Sequence, residues 1–141
     1  MRRELIANNL AELDGIVTEL LPLIQSRRTV ALVGEIGAGK TTFTKLLCQR
    51  LGVTETTSSP TYAIINQYQA GQTAVYHVDL YRLKTPEEAM DIGLLELLED
   101  KECYCIIEWP ELITDELPEE TLWMKITPAV TGERKFEIYC E

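Results

Sequence analysis

The stretch Gly34-Glu35-Ile36-Gly37-Ala38-Gly39-Lys40-Thr41-Thr42 satisfies G-x-x-x-x-G-K-[ST] at every position. That pattern is a glycine loop built to hold a phosphate chain. Its glycines admit backbone conformations closed to other residues and leave room for a polyphosphate. Its amides then point at the ligand from the positive end of the helix that follows. Lys40 is placed to bridge the β- and γ-phosphates as a point charge, the Thr41 hydroxyl to take a position on Mg²⁺, and Thr42 to lie beside the α-phosphate.

The flanks have the order the loop requires. Ahead of it, Thr29–Val33 is a short, β-branched, apolar run suited to a buried strand. Behind it, Phe43, Leu46, Leu47 and Leu51 fall at helical spacing, and Gly52 stands where a C-cap belongs. Strand, glycine loop and helix predict an α/β P-loop nucleotide-binding fold: a mixed, mostly parallel central sheet with helices on both faces.

A length of 141 residues is read as one domain, large enough to bury about two-thirds of its chain surface. No apolar run is long enough to span a membrane. No apolar segment follows the Arg2-Arg3 pair, so it is not read as an export signal, and the expected location is the cytoplasm. A formal charge of −10 argues against independent binding to phosphate backbones, which draws on clustered Lys and Arg. Any role in a nucleic-acid pathway then leaves the nucleic acid to a partner. Cys48, Cys103, Cys105 and Cys140 lack the paired spacing of a zinc site, and are read as free buried thiols in a reducing compartment.

Residues 5–24 read as an amphipathic helix capped by Asn8 or Asn9, with Pro22 disturbing its last turn. The polar stretch 54–61 follows the P-loop helix and has no period. It serves either as a plain loop or as a switch whose hydroxyls meet the metal or the attacking water. Residues 62–68 and 73–78 look like antiparallel strands around Ala70-Gly71.

Asp79 closes the second of these strands. Such an acid in a P-loop fold is a metal- or water-positioning carboxylate, or else a turn or helix-cap acid. His77 shares its strand face and reads as a hydrogen-bonded structural residue. Arg82 either pairs with Asp79, the favoured reading, or acts as an arginine finger in cis.

Thr85-Pro86-Glu87-Glu88 is a capping box with proline at N1, opening a helix expected to break near Gly93 and resume through Leu98. Tyr104–Glu108 repeats the pattern of an apolar strand ending in an acid. Asp79 and Glu108 are therefore expected near the glycine loop, at the carboxyl ends of their strands. Trp109 walls off the metal, meets a partner, or packs in the core. Residues 121–126 and Arg134–Tyr139 read as a hairpin turned near 130–132 and lying at the sheet edge.

Beyond the glycine loop, Ser59-Pro60-Thr61-Tyr62, the run from His77 through Asp79, Tyr81 and Arg82 to Leu83, and Ile107-Glu108-Trp109-Pro110 follow in order. In order and spacing they resemble the bacterial TsaE (YjeE) family, the P-loop ATPase of tRNA threonylcarbamoyladenosine biosynthesis, over nearly the whole chain. The resemblance implies a Mg²⁺-dependent ATPase, weak alone, that acts with the TsaB–TsaD complex to support modification of the adenosine beside the tRNA anticodon. In that reading hydrolysis serves repeated turnover rather than the transfer itself, and tRNA is met only through partners.

By the same resemblance ATP lies along Glu35, Ile36, Gly37, Ala38, Gly39, Lys40, Thr41 and Thr42, with the adenine side near Asn9 and Arg134. Thr41 and Glu108 hold the metal, and Asp79, Lys40 and Glu108 act in hydrolysis. Ser59, Pro60, Thr61, Tyr62, His77, Tyr81, Arg82 and Trp109 form the switch. This chain departs from the family in Glu35, where Asp is usual, and in Tyr62, where Phe is common. It also departs at its start, since many members carry a strand-like segment ahead of the first helix and this chain is read as opening on the helix.

A small-molecule kinase is disfavoured because 111–120 offers no lid arginine. A GTPase is disfavoured because no Asn-Lys-x-Asp signature appears.

Overall fold

Among the described residues, short strands, continuously buried at the centre, build one seven-stranded sheet. The computed structural model describes residues 1–55 and 64–140. In chain order the elements are β1 (Arg2–Ala7), α1 (Leu10–Arg27), β2 (Thr29–Val33), α2 (Lys40–Leu51), β3 (Ile65–Ala70) and β4 (Thr73–Asp79). They continue with α3 (Pro86–Asp91), α4 (Leu94–Glu99), β5 (Tyr104–Glu108), a 3₁₀ segment (Pro110–Glu116), β6 (Leu122–Pro128) and β7 (Arg134–Tyr139). The sheet order is β1-β7-β6-β2-β5-β4-β3. β6, β2, β5 and β4 run parallel, and the outer pairings are antiparallel.

The parallel centre needs cover on both faces, and the helices supply it. One core gathers Val17, Leu20 and Ile24 of α1 and Phe43 and Leu47 of α2 over Val30, Leu32, Ile106 and Met124. The opposite core gathers Ala89, Leu94 and Leu98 of α3 and α4 with Val78, Ile107 and Ile113. Each fully buried Leu, Ile or Phe of these layers contributes about 2 kcal/mol relative to exposure.

Several boundaries are explained locally. The Asn9 side chain accepts from the Glu12 N–H at 2.9 Å and starts α1. Thr85 caps α3 by accepting from the Glu88 N–H, and Gly93 separates α3 from α4 with φ of 84°. Pro22 lies inside α1, which nonetheless runs on to Arg27. Burial of the flanking Leu20 and Ile24 outweighs the hydrogen bond that proline removes. All four cysteines are free and buried, and burial pushes the Cys48 thiol up to about 11.

The chain does not open on a helix: residues 2–7 are the strand β1, and α1 begins at Leu10. Leu5, Ile6 and Ala7 are contiguous and extend the apolar period of α1 backwards, which hides a six-residue strand. Nor does the C-terminal hairpin form the edge. β7 is flanked by β6 and by β1, whose register sets Leu5 against Phe136 and Ala7 against Arg134. The outer strand is thus β1, with Arg2, Arg3 and Glu4 exposed along it, a charged edge that discourages further pairing. The expected switch Ser59, Pro60, Thr61 and Tyr62 lies outside the described residues, as does the first part of the strand expected at 62–68.

Candidate functional site

The site grows from where three parallel strands end. β2 and β5 pair with Leu32 opposite Glu108, and β4 and β5 with Asp79 opposite Glu108. Neighbouring strands lie about 4.8 Å apart, so the acids closing β4 and β5 stand side by side where the glycine loop leaves β2. Side chains alternate across a sheet. His77 and Asp79 therefore share a face with Glu108, on the side covered by α2.

The loop is shaped by contacts as much as by composition. A Cβ on Gly34 would lie 2.9 Å from the Ile126 carbonyl oxygen of β6, so that position is held to glycine by close backbone approach. Gly37 and Gly39 take φ of 83° and 106°, values side chains rarely adopt. Within the loop Ala38 N–H donates to the Glu35 carbonyl at 3.0 Å, and Phe43 N–H to the Gly39 carbonyl at 3.0 Å. Ala38 is buried, and its amide is already used in the turn.

A cavity of about 430 Å³ opens above the loop. It is lined by Ile36, Gly37, Gly39, Lys40, Thr41, Thr42, Asp79, Tyr81, Glu108, Trp109 and Arg134. Lys40 is only 5% exposed. Its Nζ donates to the Gly34 carbonyl at 2.6 Å and sits 4.0 Å from the Trp109 ring centroid, a cation–π contact. Burial lowers its pKa, and the nearby carboxylates of Glu108, Asp79 and Glu111 oppose that.

Asp79 Oδ1 accepts from the Tyr81 N–H at 3.0 Å. Burial holds its carboxyl above the ordinary value, the Tyr81 N–H lowers it, and Glu108 raises it further. Glu108 is buried, and its Oε2 lies 2.5 Å from His77 Nε2.

Trp109 enters the 3₁₀ segment with φ of 58°, a left-handed conformation for a bulky residue. That turn lays its ring over Lys40 and 5.0 Å from the Tyr81 ring. It also separates the phosphate-side cavity from one of about 390 Å³ lined in part by Glu35, Glu111 and Lys125.

A second cavity of about 190 Å³ shares Gly39, Thr42 and Arg134 with the first. Its remaining lining is Ala7, Asn8, Asn9, Leu10, Leu13, Gly132 and Phe136. β1 is what brings these together, because Ala7 pairs with Arg134 and the chain then turns through Asn8 and Asn9 into α1. The Arg134 side chain is near enough that a Cβ on Gly39 would lie 3.3 Å from its Nε. Nothing local in the sequence assigns Asn8, Leu10, Gly132 or Phe136 to the site, since without β1 nothing marks them as neighbours.

Of the residues expected at the site, Ile36, Gly37, Gly39, Lys40, Thr41, Thr42, Asp79, Tyr81, Glu108, Trp109 and Arg134 line the phosphate-side cavity, Asn9 lines the adjoining one, and Ala38 and His77 line neither. Glu35 faces the separate cavity beyond Trp109. The expected Asp79–Arg82 ion pair does not form. Arg82 is exposed, has no salt bridge among the described residues, and does not line the cavity. Asp79 closes a tight turn with the Tyr81 amide instead, and the chain carries Arg82 outward. Among the described residues no group of three or more His, Cys, Asp or Glu side chains forms a metal cage. A hydroxyl and one or two carboxylates facing a phosphate cradle is the sparse donor set that suits Mg²⁺, which keeps several waters and draws ligands from substrate phosphates.

Comparison with known proteins gives concordant results. A family model described as "Threonylcarbamoyl adenosine biosynthesis protein TsaE" matches residues 7–136. The chain is 39% identical over 121 residues to the tRNA threonylcarbamoyladenosine biosynthesis protein TsaE of Bacillus subtilis, covering 79% of this chain and 75% of that one. It is 36% identical over 116 residues to the protein of the same name from Treponema pallidum, covering 82% and 84%. A crystal structure of YdiB from Bacillus subtilis matches with a TM-score of 0.75 at 29% identity, over 99% of this chain and 86% of that one.

Proposed function

The chain belongs to the TsaE family, and from that premise we propose that it is a Mg²⁺-dependent ATPase of tRNA threonylcarbamoyladenosine biosynthesis. It acts as a single cytoplasmic domain with the TsaB–TsaD complex, and its hydrolysis supports repeated turnover rather than the transfer itself. The observation that carries this reading is the convergence of Lys40, Thr41, Asp79 and Glu108 on one cavity.

The triphosphate of ATP lies along the glycine loop, where main-chain donors and the positive end of α2 stabilise its charge. Lys40 keeps donors beyond the one spent on Gly34, and these meet the phosphate oxygens. Thr41 and Glu108 are the residues that hold Mg²⁺, which when bound neutralises charge on the phosphate oxygens. Asp79 orients the attacking water. Trp109 and Tyr81 cover the cavity and limit access of bulk water, which strengthens every charge interaction inside it. Arg134 and Asn9 flank the adenine side. With a charge of −10, the chain leaves tRNA to its partners.

The test is ATP turnover by the chain alone and with saturating TsaB–TsaD, alongside a reconstituted tRNA modification assay. Turnover is expected to rise on adding the complex and to fall at least about 100-fold in Glu108→Ala or Asp79→Ala, the scale of losing a group that acts in the transition state. Equal turnover with and without the complex counts against the partnership. Full multiple-turnover modification by a variant that no longer hydrolyses ATP would reduce the protein to a nucleotide-gated binding module.

A further inference from the structure

Among the described residues, His77 is the one buried ionisable side chain beside the site that the proposed chemistry does not use. It is 1% exposed, does not line the cavity, and reaches Glu108 from the neighbouring strand at 2.5 Å. Its other ring nitrogen, Nδ1, is buried without a hydrogen-bond partner among the described residues. An ionised carboxylate only accepts, so the short contact with Glu108 Oε2 needs its proton on Nε2, whereas a proton on Nδ1 would be buried with no acceptor. The ring proton therefore belongs on Nε2, where it donates to Glu108 Oε2.

The consequence appears at Lys40. Glu108 and Lys40 are both buried and line the same cavity, yet no ion pair joins them. Lys40 is turned instead to the Gly34 carbonyl and the Trp109 ring. A buried carboxylate and a buried ammonium so placed attract strongly. A free Glu108 side chain would close on Lys40, and each would be lost to the phosphates and the metal.

We propose that His77 is a positioning residue: it clamps the Glu108 carboxylate through Nε2–H and so holds it apart from Lys40. The inference rests on Glu108 and Lys40 serving nucleotide and Mg²⁺ as proposed above. It adds a residue that touches neither ligand, the kind of outer partner whose loss typically costs 10–100-fold in metal affinity or activity.

His77 is the only histidine of the chain, so its ring signals are unambiguous by NMR in untagged protein. The expected spectrum has a protonated Nε2 with a strongly downfield proton and an unprotonated Nδ1. Glu108→Gln is expected to abolish the downfield signal. A ring protonated on Nδ1, or a spectrum unchanged by Glu108→Gln, overturns the clamp without requiring any His77 variant to fold.

Calorimetry of Mg²⁺–ADP binding then compares the parent protein with His77→Leu and His77→Gln. His77→Leu is expected to lose about tenfold or more in affinity. His77→Gln, whose amide can place a donor near the Nε2 position, should recover most of it. Affinity within twofold of the parent in His77→Leu overturns the positioning role alone. Absence of Mg²⁺-dependent binding by the parent protein overturns the functional reading and this inference with it.

Discussion

Asp79 keeps a carboxylate in a setting that opposes its charge. Burial and the neighbouring Glu108 hold its carboxyl above the ordinary value of 3.8. Between that value and the raised one the folded protein binds more protons than the unfolded chain, so stability falls as pH rises through the window. At neutral pH the charged Asp79 therefore opposes folding. Asp79→Asn keeps the oxygen that accepts from the Tyr81 amide and removes the charge. The variant is expected to melt a few degrees higher at pH 7, the order of change that about 1 kcal/mol makes in a chain of this size. The gain should vanish as pH falls through the ordinary carboxylate range, while ATP turnover is lost. Thermal melts across pH 4–8 check this, and a lower melting temperature for Asp79→Asn at pH 7 contradicts it.

At the scale of elements, the glycine loop separates two reasons for using glycine. Gly34 has an added Cβ excluded by the β6 main chain at Ile126, whereas Gly37 faces open space and is held by its positive φ. Gly34→Ala must push β6 away from the loop and is expected to cost about 1–3 kcal/mol of unfolding free energy. Gly37→Ala strains only its own residue, at about 1 kcal/mol, and should act mainly on nucleotide affinity because Gly37 lines the cavity. Urea denaturation beside calorimetric titration distinguishes the two. A larger stability loss at Gly37 than at Gly34 would refute the assignment. Legibility in the sequence follows the same division. Gly34-x-x-x-x-Gly39-Lys40-Thr41, the Thr85 cap and the acids ending β4 and β5 were readable because each depends on neighbours in the chain. The approach of Ile126 to Gly34, and of the Trp109 ring to Lys40, joins segments that no local pattern relates.

Across the whole molecule, β1 decides both the edge of the sheet and the second half of the candidate site. It covers β7, ties Met1 to Cys140 by main-chain hydrogen bonds, and delivers Asn8 and Asn9 to Arg134. Removing residues 1–6 is expected to expose the hydrogen-bonding groups of β7, lower the melting temperature by about 10 °C or more, and cause concentration-dependent association. Nucleotide affinity is expected to fall together with these, by about tenfold, the scale of one or two lost ligand contacts. Light scattering and calorimetry test this, and a monomeric truncated protein with parental affinity would remove β1 from the site.

The amino-acid sequence alone determined the α/β P-loop fold class, the glycine loop with its lysine and threonine, and two carboxylates closing strands. These follow from periodicity, capping and backbone preference over spans of a few residues. Only the tertiary structure decided that β1 exists as a strand, that β7 is interior, that Asp79 turns to Tyr81 rather than to Arg82, and that His77 meets Glu108 while Lys40 turns to Gly34. Register between distant strands, and competition among partners for each buried polar group, select those outcomes. Neither acts until the sheet has assembled.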